Sequence, residues 1–261
     1  MSEAALLTSR DGSVVELILN RPASKNSLDA ELVEALGSAL ELYARDETVL
    51  AIVLGGNGGA FCSGVDLRSA RADLDSPERL AARLDGFHRL IRAIDRAPQP
   101  VLAAIDGPAV GFGADLAFAC DLRVASTRAY FEEKFVAIGL MPDGGGTFHL
   151  PRLLGAGRAM EQLLLGSRID AANALALGLV NRVVAETALA SETRALATQL
   201  ASSPPLAVRA IKRAVRDGLT GTLDKALARE RAGQLALLAS ADAREGVSAF
   251  FERRPPIFKG R

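Results

Sequence analysis

The stretch AIDGPAVGFGADLAFACD, residues 104–121, decides how this chain is read. An apolar run with β character passes through Gly107, Gly111 and Gly113 and continues into an apolar helix without a polar break. Glycine at such a junction lets backbone approach backbone or ligand closely, and the first N–H groups of a helix have no internal partner. Those groups form a ready site for negative charge. Whether that charge is a phosphate, a carboxylate or a transient oxyanion depends on the rest of the chain.

Upstream, VVELILN (14–20), LAIVLGG (50–56) and PVLAAIDG (100–107) are short aliphatic runs bounded by turn residues, and helical patterns separate them. This is βαβ order, the mark of an α/β fold. The first helix is predicted from Ser27 to about Arg45, with Leu28, Leu32, Val33, Leu36 and Leu40 on one face and Asn26 or Ser27 as its cap. A second is predicted from Pro77 to about Asp95, with Leu80, Leu84, Phe87, Ile91 and Ile94 on one face. The intervening polar segment Asp66–Ser76 reads as a mobile surface loop able to cover a site. Beyond residue 150 the pattern is nearly all helical, with GLVNRVVA (178–185) as the one strand signal. The predicted organisation is a core over residues 1–200 and a helical region over residues 201–261.

Lysine plus arginine and aspartate plus glutamate both total 31 in 261 residues, so net charge gives no sign of a nucleic-acid surface. No apolar stretch is long enough for a membrane span, and MSEAALLTSRDG lacks the pattern of an export signal. Cys62 and Cys120 show no pairing signature and are expected to be reduced. The expected partner is a small molecule or a second subunit, and the expected location is the cytoplasm.

Several familiar motifs fail. GFGADL carries Leu116 where a dinucleotide fingerprint needs its third glycine, and Phe61 stands where a nucleophile elbow around Ser63 needs its first. His88 and His149 lack neighbouring partners for a triad or a metal site and read as structural.

GGAFCSGVDL (58–67) together with DGPAVGFGADLAFACDLRVAS (106–126) resembles the paired signatures of the crotonase, or enoyl-CoA hydratase/isomerase, superfamily. LNRPASKNSLDAEL, GLMPDGGGTFHLPRLLG, IDAANALALGLVNRVV and EGVSAFFERRPPIFKG resemble further family segments in the family's order. The resemblance implies an α/β fold, with a crotonase-like ββα spiral core and a C-terminal helical trimerisation region. It implies an enzyme acting on acyl-CoA thioesters without a separate cofactor, coenzyme A being part of the substrate. In the family, two loops each aim a backbone N–H at the thioester carbonyl, and by resemblance these belong to Ser63 and Phe112. Fixed donors of this kind stabilise an enolate more than the neutral substrate. The resemblance also assigns substrate contacts to Lys25, Ala60, Cys62, Gly64, Asp66, Leu67, Gly111, Phe135, Pro142, Phe250 and Arg253, the last two reaching a neighbouring subunit's substrate.

The acids select the reaction. Family hydratases carry two glutamates; here Asp115 stands at the first position and Phe135 at the second, while Glu133 would substitute only with a register slip. Asp143 falls where several family isomerases carry their proton-shuttling acid. Asp143 also fits a cap on the helix that follows, and Asp115 fits a helix-start carboxylate. With Asp143 and Asp115 as candidate catalytic residues, the expected reaction is double-bond isomerisation. Hydration of a 2-enoyl-CoA is the alternative within the family, and a catalytically inactive acyl-CoA-binding protein the alternative outside it. Leu235, Leu237, Leu238, Val247, Phe250 and Phe251 exceed what a small peripheral region buries alone, which predicts a homotrimer or dimer of trimers.

Overall fold

The computed structural model describes residues 4–261, and the three aliphatic runs are neighbouring strands of one sheet. A hairpin of β1 (Leu6–Asp11) and β2 (Val14–Leu19) opens the chain, followed by α1 (Ala30–Arg45), β3 (Ala51–Gly56), α2 (Leu67–Arg71) and α3 (Pro77–Arg96). Then come β4 (Val101–Ile105), β5 (Pro108–Val110), α4 (Phe112–Ala119), β6 (Leu122–Ser126) and β7 (Tyr130–Glu132). The second half contains α5 (Gly146–Leu154), α6 (Ala156–Leu165), β8 (Ile169–Asp170), α7 (Ala171–Ala176), β9 (Arg182–Val184) and α8 (Leu189–Ala201). It ends in α9 (Pro205–Gly218), α10 (Leu223–Leu238) and α11 (Ala241–Glu252).

The large sheet has the order β1-β2-β3-β4-β6-β9, antiparallel at the first pair and parallel thereafter. A small sheet, β5-β7-β8, is extended by a parallel bridge between Cys62 and Ala109. Successive stretches of chain therefore give one strand to the large sheet, one to the small sheet and a helix, which is the ββα spiral. The central strands are apolar throughout because both faces are covered. Ile52 and Leu54 face the main core with Leu17, Leu32, Leu36 and Leu90, while Ala51 and Val53 face a second core against Leu189, Leu196 and Ala197 of α8.

Local readings shift where side chains take on other tasks. α1 begins at Ala30, capped by Asp29, three residues beyond the predicted start. Asn26 does not cap it: its backbone is left-handed at φ 57° and its amide donates to the Ala60 carbonyl at 2.7 Å. Part of the predicted loop 66–76 is helix α2, with Asp66 accepting from Arg68 and Ser69 N–H groups. β1 escaped the reading because nearly all of it is exposed, so it lacks an apolar pattern. α9 is tied to the core by Lys212, which meets Asp121 at 2.6 Å and donates to the Gln99 carbonyl, and by Arg216, which pairs with Asp95 and Asp121. Among the described residues no helix is long and apolar enough to cross a membrane.

Helix α4 is buried along its whole length, so its C-terminal carbonyls need partners inside the protein. Arg123 on β6 supplies them. Its guanidinium donates to the Cys120 carbonyl at 2.7 Å and to those of Phe118, Ala117 and Leu179. A buried cation there also complements the helix dipole. Replacing Arg123 by Met orphans these carbonyls, and urea unfolding is expected to show a loss of about 3 kcal/mol.

Candidate active site

The site is built where the two glycine-containing loops meet. Cys62 donates its N–H to the Pro108 carbonyl and accepts from Val110, both at 3.0 Å, so the first loop runs as a strand beside β5. On its other side, Ser63 N–H donates to Lys25 at 3.0 Å, Leu28 donates to Gly64 at 2.8 Å and Asp66 donates to Leu28 at 2.9 Å. The Val65 N–H, by contrast, has no protein partner among the described residues. Neither has the Phe112 N–H at the start of α4. Space for the close approach comes from absent side chains. A Cβ on Gly113 would lie 2.2 Å from the Cys62 carbonyl oxygen, and one on Gly64 would lie 2.7 Å from the Val110 oxygen and 3.5 Å from the Phe112 nitrogen.

This corrects the expected pair of donors. Ser63 N–H is consumed by Lys25, and beyond it on that loop the N–H of Val65, two residues later, is free among the described residues. Gly64 at φ 91° turns the backbone between them. The Phe112 N–H opens α4: Gly111 at φ 54° precedes it, and the helix dipole lies behind it. Its ring packs on Phe87 at 4.5 Å between centroids.

Three carboxyl groups gather beside this junction. Asp115, one turn into α4, is fully buried, and its Oδ2 accepts from Gly144 N–H at 2.9 Å. Glycines 144 and 146 are pressed against it, since a Cβ on either would fall 2.6 Å or less from Asp115. Asp143 is half-buried on the same loop, and its Oδ1 has no hydrogen-bond partner among the described residues. It does not cap α5, whose N-cap is Gly145 with no side-chain bond. Glu133 is also buried and reaches Asp115 without any register slip, from two residues before Phe135. Phe135 itself is buried with its ring about 4 Å from the place a Cβ on Gly111 would take. His88, read as structural, faces Asp143 from α3.

Burial pushes all three carboxyls above the ordinary range, and their mutual repulsion raises Asp115 and Glu133 further. For Asp115 the Gly144 N–H opposes this, and for Asp143 its own backbone N–H and His88 oppose it. His149, half-buried on α5, is pulled down to about 4 by desolvation and is neutral at pH 7. The buried thiols of Cys62 and Cys120 are pushed up to about 12 and are unreactive. Among the described residues no group of three His, Cys, Asp or Glu side chains could hold a metal ion.

The other predicted contacts divide. Ala60, Cys62, Gly64, Gly111 and Pro142 lie in the two loops or beside Asp143. Leu67 lines a cavity of about 800 Å³ with Ser24, Val65 and Arg68. The exposed Lys25 is next to Ser24 in left-handed backbone at φ 52°. The Asp66 carboxylate is spent on the α2 cap and on Arg21 at 3.0 Å, its N–H donates to Leu28 and its carbonyl accepts from Ala70 N–H, so Asp66 shapes the loop and has no group left over for a ligand. Phe250 and Arg253 lie at the end of α11, which packs on α10; Phe250 is 78% exposed.

The family model described as enoyl-CoA hydratase/isomerase matches residues 9–261. A probable enoyl-CoA hydratase of Rhodobacter capsulatus is 43% identical, with 94% of each chain covered. A 1,2-epoxyphenylacetyl-CoA isomerase of Escherichia coli (strain K12) is 38% identical over 98% of each. The crystal structure of an enoyl-CoA hydratase from Bacillus anthracis superposes with a TM-score of 0.95 at 34% identity, covering 98% of this chain and 100% of that one.

Two outcomes follow from this geometry. Gly113→Ala forces a methyl group onto the Cys62 carbonyl and parts the two loops; removing one oxyanion donor costs about 3 kcal/mol in transition-state stabilisation, and a loss of that order in kcat is expected. The second concerns pH. Asp115 and Glu133 together hold a proton in the folded chain at pH values where the unfolded chain has released it. Stability they contribute is therefore full below the ordinary carboxylate range and is lost as pH rises toward their raised values. Between about pH 5 and pH 8 the wild type is expected to lose unfolding free energy relative to Glu133→Gln, measured by urea titration at each pH.

Proposed function

The chain belongs to the enoyl-CoA hydratase/isomerase family and acts on acyl-CoA thioesters, and from that premise we propose that it moves a double bond within an enoyl-CoA. The Val65 and Phe112 N–H groups hold the thioester oxygen. Asp143, as the carboxylate, takes a proton from the carbon between the thioester and the 3,4 double bond. The electron pair of that C–H bond delocalises onto the thioester oxygen, where two fixed donors and the dipole of α4 meet the charge. Asp143 then returns the proton to carbon 4, giving the 2-enoyl-CoA and regenerating its own carboxylate. No water enters the balance.

The observation that carries this reading is the division of labour among the acids. Asp115 is committed to Gly144 N–H, whereas Asp143 caps nothing and keeps an unpartnered oxygen. A carboxyl raised by burial matches the proton affinity that a base working near neutral pH requires. Hydration is the second reading, favoured by the relatives bearing hydratase names. It calls for a second acid to orient water, and Phe135 occupies the position where the family carries one.

The helical end supports a further part of the proposal, a homotrimer or dimer of trimers. Ile211, Val215, Leu223, Leu238, Phe250 and Phe251 are each more than half exposed in the single chain, more apolar surface than a monomer ordinarily shows. Buried free thiols fit a reducing, cytoplasmic setting.

Incubation of wild type, Asp143→Asn and Asp115→Asn with 3-enoyl-CoA and 2-enoyl-CoA separately tests the reaction. Wild type is expected to isomerise and not to hydrate efficiently, and Asp143→Asn to lose roughly 10²–10⁴-fold in kcat. Isomerisation undiminished in Asp143→Asn, or hydration without isomerisation, overturns the proposal; binding without exchange of the proton next to the thioester marks an inactive binding protein. Because Asp143 acts as the base, kcat/KM is expected to rise with pH through a limb above the ordinary aspartate value of about 3.9. Light scattering is expected to give the mass of three or six chains, and a stable monomer at micromolar concentration contradicts the assembly.

A further inference from the structure

Glu133 is a buried acid that the proposed chemistry leaves without a task. It lies between the end of β7 and the 3-10 turn Lys134–Ile138, with 4% of its surface exposed. Neither carboxyl oxygen meets a hydrogen-bond donor, and no lysine, arginine or histidine pairs with it among the described residues. The titratable groups that reach it are both acids: Asp115 from α4, at hydrogen-bonding range, and Asp143 from the following loop, with His88 of α3 one step further on beside Asp143.

An ionised carboxylate cannot rest in such a place. It would be desolvated, without a donor and opposed by a second carboxylate, and each of these disfavours the charge. A proton removes the conflict, because a neutral carboxylic acid has an O–H to donate. Asp115 is the acceptor in reach. Its Oδ2 already takes Gly144 N–H at 2.9 Å, and its Oδ1 otherwise lacks a partner. Asp115 is the better place for the remaining charge, since it alone of the pair has a backbone N–H aimed at it.

We infer that Glu133 is a positioning residue for Asp143: as a neutral acid it donates its O–H to Asp115, and the Asp115 carboxylate in turn fixes the Gly144 backbone beside Asp143. What Asp143 does for the substrate rests on the proposed function; the proton, the bond and the grip on Gly144 do not. Glu133 is thus not a displaced copy of a hydratase acid. Its proton stays in the protein.

Glu133→Gln retains a donor of the same shape, and Glu133→Leu retains the volume without a donor. Three readouts separate them. Infrared spectroscopy at neutral pH is expected to show the carbonyl stretch of a protonated carboxylic acid in wild type and its loss in Glu133→Gln. Amide exchange at Gly144, followed by NMR, is expected to match wild type in Glu133→Gln and to speed up at least about tenfold in Glu133→Leu. Turnover is expected to be restored in Glu133→Gln and to fall roughly 10–100-fold in Glu133→Leu, with KM little changed. A wild type without the protonated-acid band, a glutamine variant as impaired as the leucine variant, or a leucine variant with unaltered Gly144 exchange overturns the inference. Should Asp143→Asn retain full activity, the proposed function fails alone, and the infrared and exchange results still decide the role of Glu133.

Discussion

The hydrogen bond from Gly144 to Asp115 joins the two halves of the site. One partner stands one turn inside α4, the helix that opens with the unpartnered Phe112 N–H, and the other is next to Asp143 in sequence. The Phe112 N–H and Asp143 are therefore referenced to the same helix across a single contact. Nothing else could occupy that contact, because any side chain at Gly144 or Gly146 would collide with Asp115. The bond is also costly to keep: it requires an acid with no exposed surface, whose charge burial opposes. A charge-assisted bond to backbone N–H offsets part of that cost, and a neighbouring proton offsets more.

Helix α4 can serve as this reference because it is held at both ends and on all sides. Arg123 closes its carbonyl end, Gly111 and Gly113 let β5 and the 60–66 loop reach its amino end, and Phe87 packs against Phe112. Its eight residues are buried without exception. A preorganised oxyanion site depends on such rigidity, since donors that must reorient during the reaction give up much of their advantage. A cavity of about 800 Å³ lies outside α4, rimmed by the exposed Leu67 and Arg68.

How much of this was legible in the sequence depended on whether a residue's task was local. The runs at 14–20, 50–56 and 100–107 declared themselves as strands because both faces of each are buried, and the junction at 107–113 declared itself through its glycines. β1 did not, because it is stitched on through backbone bonds while its side chains face solvent. That the Ser63 N–H is taken by Lys25 while the Val65 N–H stays free depends on the turn at Gly64, which residue spacing does not express. Asn26 was read as a cap because its type suits one, yet its amide holds the carbonyl of Ala60, 34 residues away. Glu133 and His88 belong to the same class: what matters is which side chains α3, α4 and the 140–145 loop bring together, and only the assembled chain states it.

The central claim is that one carboxylate carries a proton along the acyl chain while two backbone donors hold the charge left behind. A 3-enoyl-CoA carrying deuterium on the carbon next to the thioester, converted for a single turnover in ordinary water, tests it most directly. Transfer by Asp143 predicts 2-enoyl-CoA with part of the deuterium at carbon 4, and no such transfer in Asp143→Asn. A product bearing a hydroxyl group at carbon 3, with no deuterium at carbon 4, would contradict it.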